Sequence, residues 1–146
     1  MSKSNAWETG ILGLLFNATP IANVADDAGT SPLTNLYVAL HTAQPSESGD
    51  QTSNETAYTG YARFASTRDT NASTGWAVSG NSVSPQADWD FGECTASPGA
   101  PLTHMSVGST ASGAGVMFYW GSLSPNITVA TGVIPRLKNT STITED

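Results

Sequence analysis

The sequence predicts a mainly β protein: a single-domain antiparallel β-sandwich or barrel-like fold with one N-terminal α-helix, spanning residues 1–146. Three observations carry this. Apolar residues recur at helical spacing in only one good segment, near the N-terminus. From Gly60 onward, short alternating stretches and turn residues follow one another every ~8–12 residues, the rhythm of a sandwich or barrel. The composition, 38% apolar and 12% charged with Ser, Thr, Asn and Gly filling much of the rest, suits short strands and many turns.

The helix opens at Asn5, which with Glu8 three residues later forms a capping box. Trp7, Ile11, Leu14 and Leu15 then repeat at helical spacing, and Asn17-Ala-Thr-Pro20 ends the segment because proline disfavours helical backbone in the residue before it. Gly10 and Gly13 each weaken it by about 1 kcal/mol relative to alanine, so it needs packing, on the sheet or on a neighbouring subunit. Residues 20–34 read as loop. Leu36–His41 is a strand apolar on both faces, and a long polar loop over 42–59 follows; loops of that length in compact domains are usually functional or disordered.

Tyr61–Ser66 reads as a strand, Gly75–Gly80 as a short one between glycines, and Asn81–Ser84 as its continuation beyond a turn. In Asp88-Trp-Asp-Phe91, alternation points Trp89 and Phe91 inward. Glu93–Pro101 is loop, and Leu102–Val107 a strand with Met105 and Val107 on its core face. Ser109–Gly115 is a hairpin connection: glycine-rich, but without the lysine of a phosphate loop and leading into a strand. Gly113–Leu123 follows, with Val116, Phe118 and Trp120 on one face and Met117 and Tyr119 on the other. Apolar residues on both faces predict a strand covered on both sides, in the middle of its sheet. Asn126–Val129, Gly132–Leu137 and Thr140–Thr144 complete the strands.

The formal charge is −7. Nucleic-acid binding needs clustered Lys and Arg, and none stands between Lys3 and Arg63, so neither nucleic acid nor an anionic membrane surface is an expected partner. Cys94 is the one cysteine and has no intrachain partner for a disulfide. No secretory signal is visible, which predicts synthesis in a cytoplasm.

Candidate chemistry is sparse. His41, His104 and Cys94 make a nucleophile set only on paper, because nothing in the sequence brings thiol and imidazole into hydrogen-bond reach. Asp88 and Asp90 share one strand face beside Trp89, the arrangement of a sugar-cleaving pair, or more simply a solvated polar face. No His/Cys cluster and no calcium-ligand spacing appears. The expectation is therefore no catalytic residue, no cofactor and no metal.

Several segments occur in a telling order: Leu-Leu-Phe-Asn-Ala-Thr (14–19), Leu-Tyr-Val-Ala-Leu-His-Thr-Ala-Gln-Pro (36–45), Glu-Thr-Ala-Tyr-Thr-Gly-Tyr-Ala-Arg (55–63), Gly-Asn-Ser-Val-Ser-Pro (80–85), Thr-His-Met-Ser-Val-Gly (103–108) and Ile-Thr-Glu-Asp at the end. The chain resembles a family of small tailed-bacteriophage virion proteins, commonly labelled tail fibre or minor structural proteins. Lys138-Asn139-Thr140 stands where that family would have a small apolar lead-in. The resemblance implies a non-enzymatic virion protein made in the bacterial host cytoplasm. Since the chain has no repeats or heptads to build a shaft, a capsid-surface decoration (cement) protein is the first expectation. It would bind the major capsid protein and form a homo-oligomer, possible as a trimer. Its docking elements would be residues 1–19, through Trp7, Ile11, Leu14 and Leu15, or the 42–59 loop. The alternative is a tail fibre or tail-tip component touching host glycan through exposed Tyr58, Tyr61 or Trp76. A glycan hydrolase using Asp88 and Asp90 is a remote third.

Overall fold

The computed structural model describes residues 5–20 and 33–145. Its elements in chain order are α1 (Asn5–Asn17), β1 (Asn35–His41), β2 (Phe64–Thr67), β3 (Trp76–Ser79), β4 (Ser82–Pro85), β5 (Trp89–Asp90), β6 (Leu102–Gly108), β7 (Met117–Ile127), β8 (Arg136–Leu137) and β9 (Ile143–Thr144). The protein is mainly β with one helix, and its strands form a four-stranded sheet ordered β2-β1-β6-β7, a three-stranded sheet ordered β3-β4-β9, and the pair β5-β8. Two compact units are woven from separated stretches. The first comprises Met1–Leu36, Ser66–Trp89 and Lys138–Asp146; the second comprises Tyr37–Ala65 and Asp90–Leu137.

In the first unit, β3 and β4 pair antiparallel from Trp76↔Pro85 to Ser79↔Ser82. Gly80 makes their two-residue turn possible: its φ of 61° lies in the left-handed region that such hairpins ask of their first turn residue. β9 joins β4 in the register Val83↔Ile143, so the polar Lys138-Asn139-Thr140 lead-in does not prevent the last strand from forming. The core is aromatic. Phe16 meets Trp76 edge-on at 4.4 Å, and Trp76 meets Trp89 at 4.8 Å. Each indole N–H has a partner: Trp76 Nε1 donates to Ser66 Oγ (3.2 Å) and Trp89 Nε1 to the Ser73 carbonyl (2.9 Å).

The helix ends where expected, with a cap that proline does not supply. Ala18 adopts φ 50°, and the Thr19 N–H reaches back six positions to the Gly13 carbonyl at 3.0 Å, a left-handed closure of the last turn. Arg68 then donates to the carbonyls of Leu14 and Leu15 at 2.6 Å each, placing a cation at the negative end of the helix dipole. At the other end the Asn5 cap lies outside the described side chains, while Glu8 is buried in the first turn.

In the second unit, β1 and β6 pair from Tyr37↔Gly108 to His41↔His104. Val38, Ala39, Leu40, Leu102 and Val107 are buried there; Met105, expected on the core face, is only half-buried. This pair is the centre of the sheet, which corrects the expectation for Gly113–Leu123. That stretch supplies β7, which begins at Met117, runs on to Ile127 and lies at the edge, beyond β6. None of its residues is buried. Apolar side chains on both faces were sound evidence for a strand and poor evidence for its place, because periodicity reports what a strand offers and not what covers it. β7 is also irregular: Val107↔Tyr119 and Gly108↔Met117 leave Phe118 as a bulge residue.

Candidate functional site

Arg63 is the organising residue of the second unit. Its side chain is 2% exposed, yet every polar atom is engaged. Nε and Nη2 donate to the two oxygens of Glu55 at 2.7 Å each, a fork-on-fork pair. Nη2 also donates to the Gly113 carbonyl (2.8 Å) and Nη1 to the Thr110 carbonyl (2.9 Å) and Gln51 Oε1 (3.3 Å). The Glu55 carboxylate holds the guanidinium above its ordinary pKa.

Two neighbours complete the node. Tyr61 Oη donates to Glu55 Oε1 (2.9 Å) and accepts the Leu40 N–H (3.0 Å), and burial pushes its pKa well above the usual tyrosine value. Gln51, fully buried, donates Nε2 to the Tyr37 carbonyl (2.9 Å), while its backbone N–H donates to the Ala114 carbonyl (3.0 Å). Gly108 lets Gln51 approach: a Cβ there would sit 2.1 Å from Gln51 Cδ. Two loops that look free in sequence, 42–59 and Ser109–Gly115, are thereby fastened to one another and to β1. Their exposed residues include Gln44, Ser46, Ser48, Ala111, Ser112 and Ala114, with Glu47 as an exposed charge among them. Glu55 spends both oxygens on Arg63 and Tyr61, and what remains is a shaped polar surface on a rigid base.

A second buried pair ties the 42–59 loop from its other side. His41 Nδ1 lies 2.9 Å from the Ser53 carbonyl, which can only accept, so Nδ1 carries the proton and Nε2 accepts from Ser106 Oγ at 2.8 Å. Histidine and serine at this distance have the geometry of a base and a nucleophile. Both are fully buried, and burial lowers the His41 pKa, so the pair works as a neutral structural clasp.

The other candidate residues are dispersed. Cys94 is buried, its Sγ donating to the Ala96 carbonyl at 3.5 Å. His104 bonds Thr103 Oγ1 (2.9 Å). Asp90 is held by Arg136, which keeps its carboxyl below the usual range, and Asp88 accepts the Asn139 N–H (2.9 Å). Glycoside cleavage needs one protonated carboxyl, and Asp90 is the wrong group for it. Among the described residues no three His, Cys, Asp or Glu side chains gather as for a metal ion, and no helix is long and apolar enough to cross a membrane.

The residues expected to meet partners divide. Trp7 lies outside the described side chains. Ile11, Leu14 and Leu15 are half-buried, while α1 buries its other stripe, Glu8, Leu12 and Phe16, packing on β3 and β4. The expectation of exposed aromatics is corrected. Trp76 is core, and Tyr58 is 3% exposed with its hydroxyl donating to the Gly92 carbonyl (2.8 Å). Tyr61 is half-buried, its ring stacked on Phe91 and its hydroxyl spent on the node. Sequence reasoning missed Arg63, Glu55 and Gln51. The one available signal was Arg63 itself, an isolated cation in a stretch that alternates like a strand.

Comparison with known proteins is consistent with this chemistry-poor surface. Residues 2–144 match the family described as Podophage GP4 fiber I protein gp80. No curated protein matches the chain. With nearly its whole length covered, the chain belongs to the podophage GP4 fiber I protein gp80 family, a family of bacteriophage structural proteins.

Proposed function

We propose that this protein is a fibre component of a podophage virion, contributing a β module with a largely uncharged polar surface. The observation that carries the reading is the match to a fibre family over residues 2–144. The geometry supports it in kind. The strongest charges of the second unit are neutralised inside it, and the loops they hold face outward without a reactive group. The capsid-decoration expectation rested on the missing shaft repeats. A fibre can take its length from other chains, so that absence weighs little. Half-exposed Ile11, Leu14 and Leu15 are the residues of α1 available to another virion protein.

Quantitative mass spectrometry of purified particles, calibrated on the major capsid protein, tests this. A fibre component is present in small numbers per particle, and antibody labels seen by electron microscopy sit on the tail. Hundreds of copies spread over the shell would overturn the fibre reading in favour of decoration.

A further inference from the structure

We propose that Trp120 and His104 form a stacking platform for a neutral saccharide. The register sets Ser106 opposite Trp120 and His104 opposite Ser122, and continues the same two rows onto Ala39 and His41 of β1, so these side chains share one face of the sheet. Cover on that face runs out from β1 to β7. His41, Ala39 and Ser106 are fully buried, with the 42–59 loop bonded to His41 through the Ser53 carbonyl. His104 and Trp120 are half-buried, and Ser122 is exposed. The imidazole and indole rings lie 6.2 Å apart at an interplanar angle of 49°. His104 Nδ1 is held by Thr103 Oγ1 at 2.9 Å. Among the described residues neither His104 Nε2 nor Trp120 Nε1 has a hydrogen-bond partner, and no buried side-chain nitrogen or oxygen lacks one, so both nitrogens reach solvent.

The chemistry of the platform selects its occupant. A purely apolar partner would cover Trp120 but strand both ring nitrogens away from water without a bond, which costs more than the burial of a half-covered ring returns. A charged partner finds no counter-ion: no Asp, Glu, Lys or Arg stands between Glu93 and Arg136, a span containing all of β6 and β7. On the β1 side of the same face the Glu55 carboxylate is already paired with Arg63. The net charge of −7 further repels an acidic ligand. A pyranose meets every condition. Its C–H face lies flat on an indole, which is a large apolar surface with a polar handle at its rim. Its hydroxyls can accept from Trp120 Nε1 and either donate to or accept from His104 Nε2, according to the tautomer. The inference goes beyond the fibre reading and does not rest on it, so copy numbers per particle leave it untouched.

The test is saturation-transfer difference NMR on the full chain, titrated to tens of millimolar with the methyl glycosides of glucose, galactose, mannose, rhamnose and N-acetylglucosamine, and with lactose beside its sialylated form. Saturable binding of at least one neutral sugar is expected, with transfer strongest to the C–H protons of one ring face. Trp120→Ala should weaken it on the order of tenfold, and Trp120→Phe, which keeps a ring, by less. His104→Ala should weaken it severalfold while leaving the indole in place, and gives a second reading should Trp120→Ala fail to fold. Far-ultraviolet circular dichroism checks that each variant keeps the fold. Sialylated lactose should bind more weakly than lactose. Absence of saturable binding across the panel overturns the proposal. So does binding that both Trp120→Ala and His104→Ala leave intact, or a sialylated sugar held as tightly as its neutral parent.

Discussion

Arg63 and Glu55 face one another through two parallel hydrogen bonds of 2.7 Å, their side chains 2% and 16% exposed. They stand eight positions apart in the chain, and the guanidinium continues past the carboxylate to carbonyls on the β6–β7 connection. A charge pair this deep is stabilising relative to either charge left alone, and much less so relative to an apolar replacement of both.

Arg63→Leu is accordingly expected to destabilise the fold by about 3 kcal/mol, because Glu55 stays behind without its partner. Arg63→Lys should recover little, since an ammonium cannot reproduce the fork and the two carbonyl bonds together. Arg63→Leu combined with Glu55→Gln should lose less than Arg63→Leu alone. Urea denaturation of the four proteins measures the difference.

His41 makes stability depend on pH. Burial lowers its folded-state pKa below the ordinary 6.5, so just below pH 6.5 the unfolded chain binds more protons than the folded one. Its contribution is fully present above pH 6.5 and is lost as pH falls toward the depressed folded value. Protonation also turns Nε2 into a donor and removes the acceptor that Ser106 Oγ uses. Comparing denaturation midpoints at pH 7.5 and 5 for the parent and His41→Gln isolates this term: the variant should be less stable at pH 7.5 and lose less on acidification.

Tyr58 gives the opposite slope at alkaline pH. Burial pushes its pKa up to about 12 from 10.0, so between those values the unfolded state releases a proton the folded state keeps, and stability falls as pH rises. Tyr58→Phe should cost about 1 kcal/mol at neutral pH through loss of the bond to the Gly92 carbonyl. It should also flatten the alkaline loss. Thermal unfolding followed across that range checks both.

Ala18 holds the left-handed conformation that closes α1, at φ 50°. Alanine is strained there and glycine is not, so Ala18→Gly should stabilise the protein by about 0.5 kcal/mol, the relief being partly offset by the greater freedom of glycine in the unfolded chain. A lower urea midpoint for the variant would show that the cap is not strained.

Much of the frame was legible before any coordinates. The Leu36–His41 run, the short strand over Gly75–Gly80 with its continuation beyond a turn at 81–84, and the inward Trp89 and Phe91 each follow from local pattern, and each is present. What local pattern does not encode is which apolar surface finds a cover. Met117 to Trp120 read like the middle of a sheet because they are as apolar as β1, yet they line its rim. For the same reason Tyr58 and Trp76 looked like outward aromatics, although their hydroxyl and indole partners lie many residues away. Arg63 was visible only as a lone cation; its partners come from two separated stretches, and no spacing rule joins them.

The three-stranded sheet of the first unit takes its third strand from Ile143–Thr144, pairing with residues translated some sixty positions earlier. A nascent chain leaving the ribosome therefore holds β3 and β4 as an unfinished hairpin until Ile143 and Thr144 emerge. A stop codon or frameshift near residue 140 would spare the second unit's residues entirely and still deny the first its closing strand.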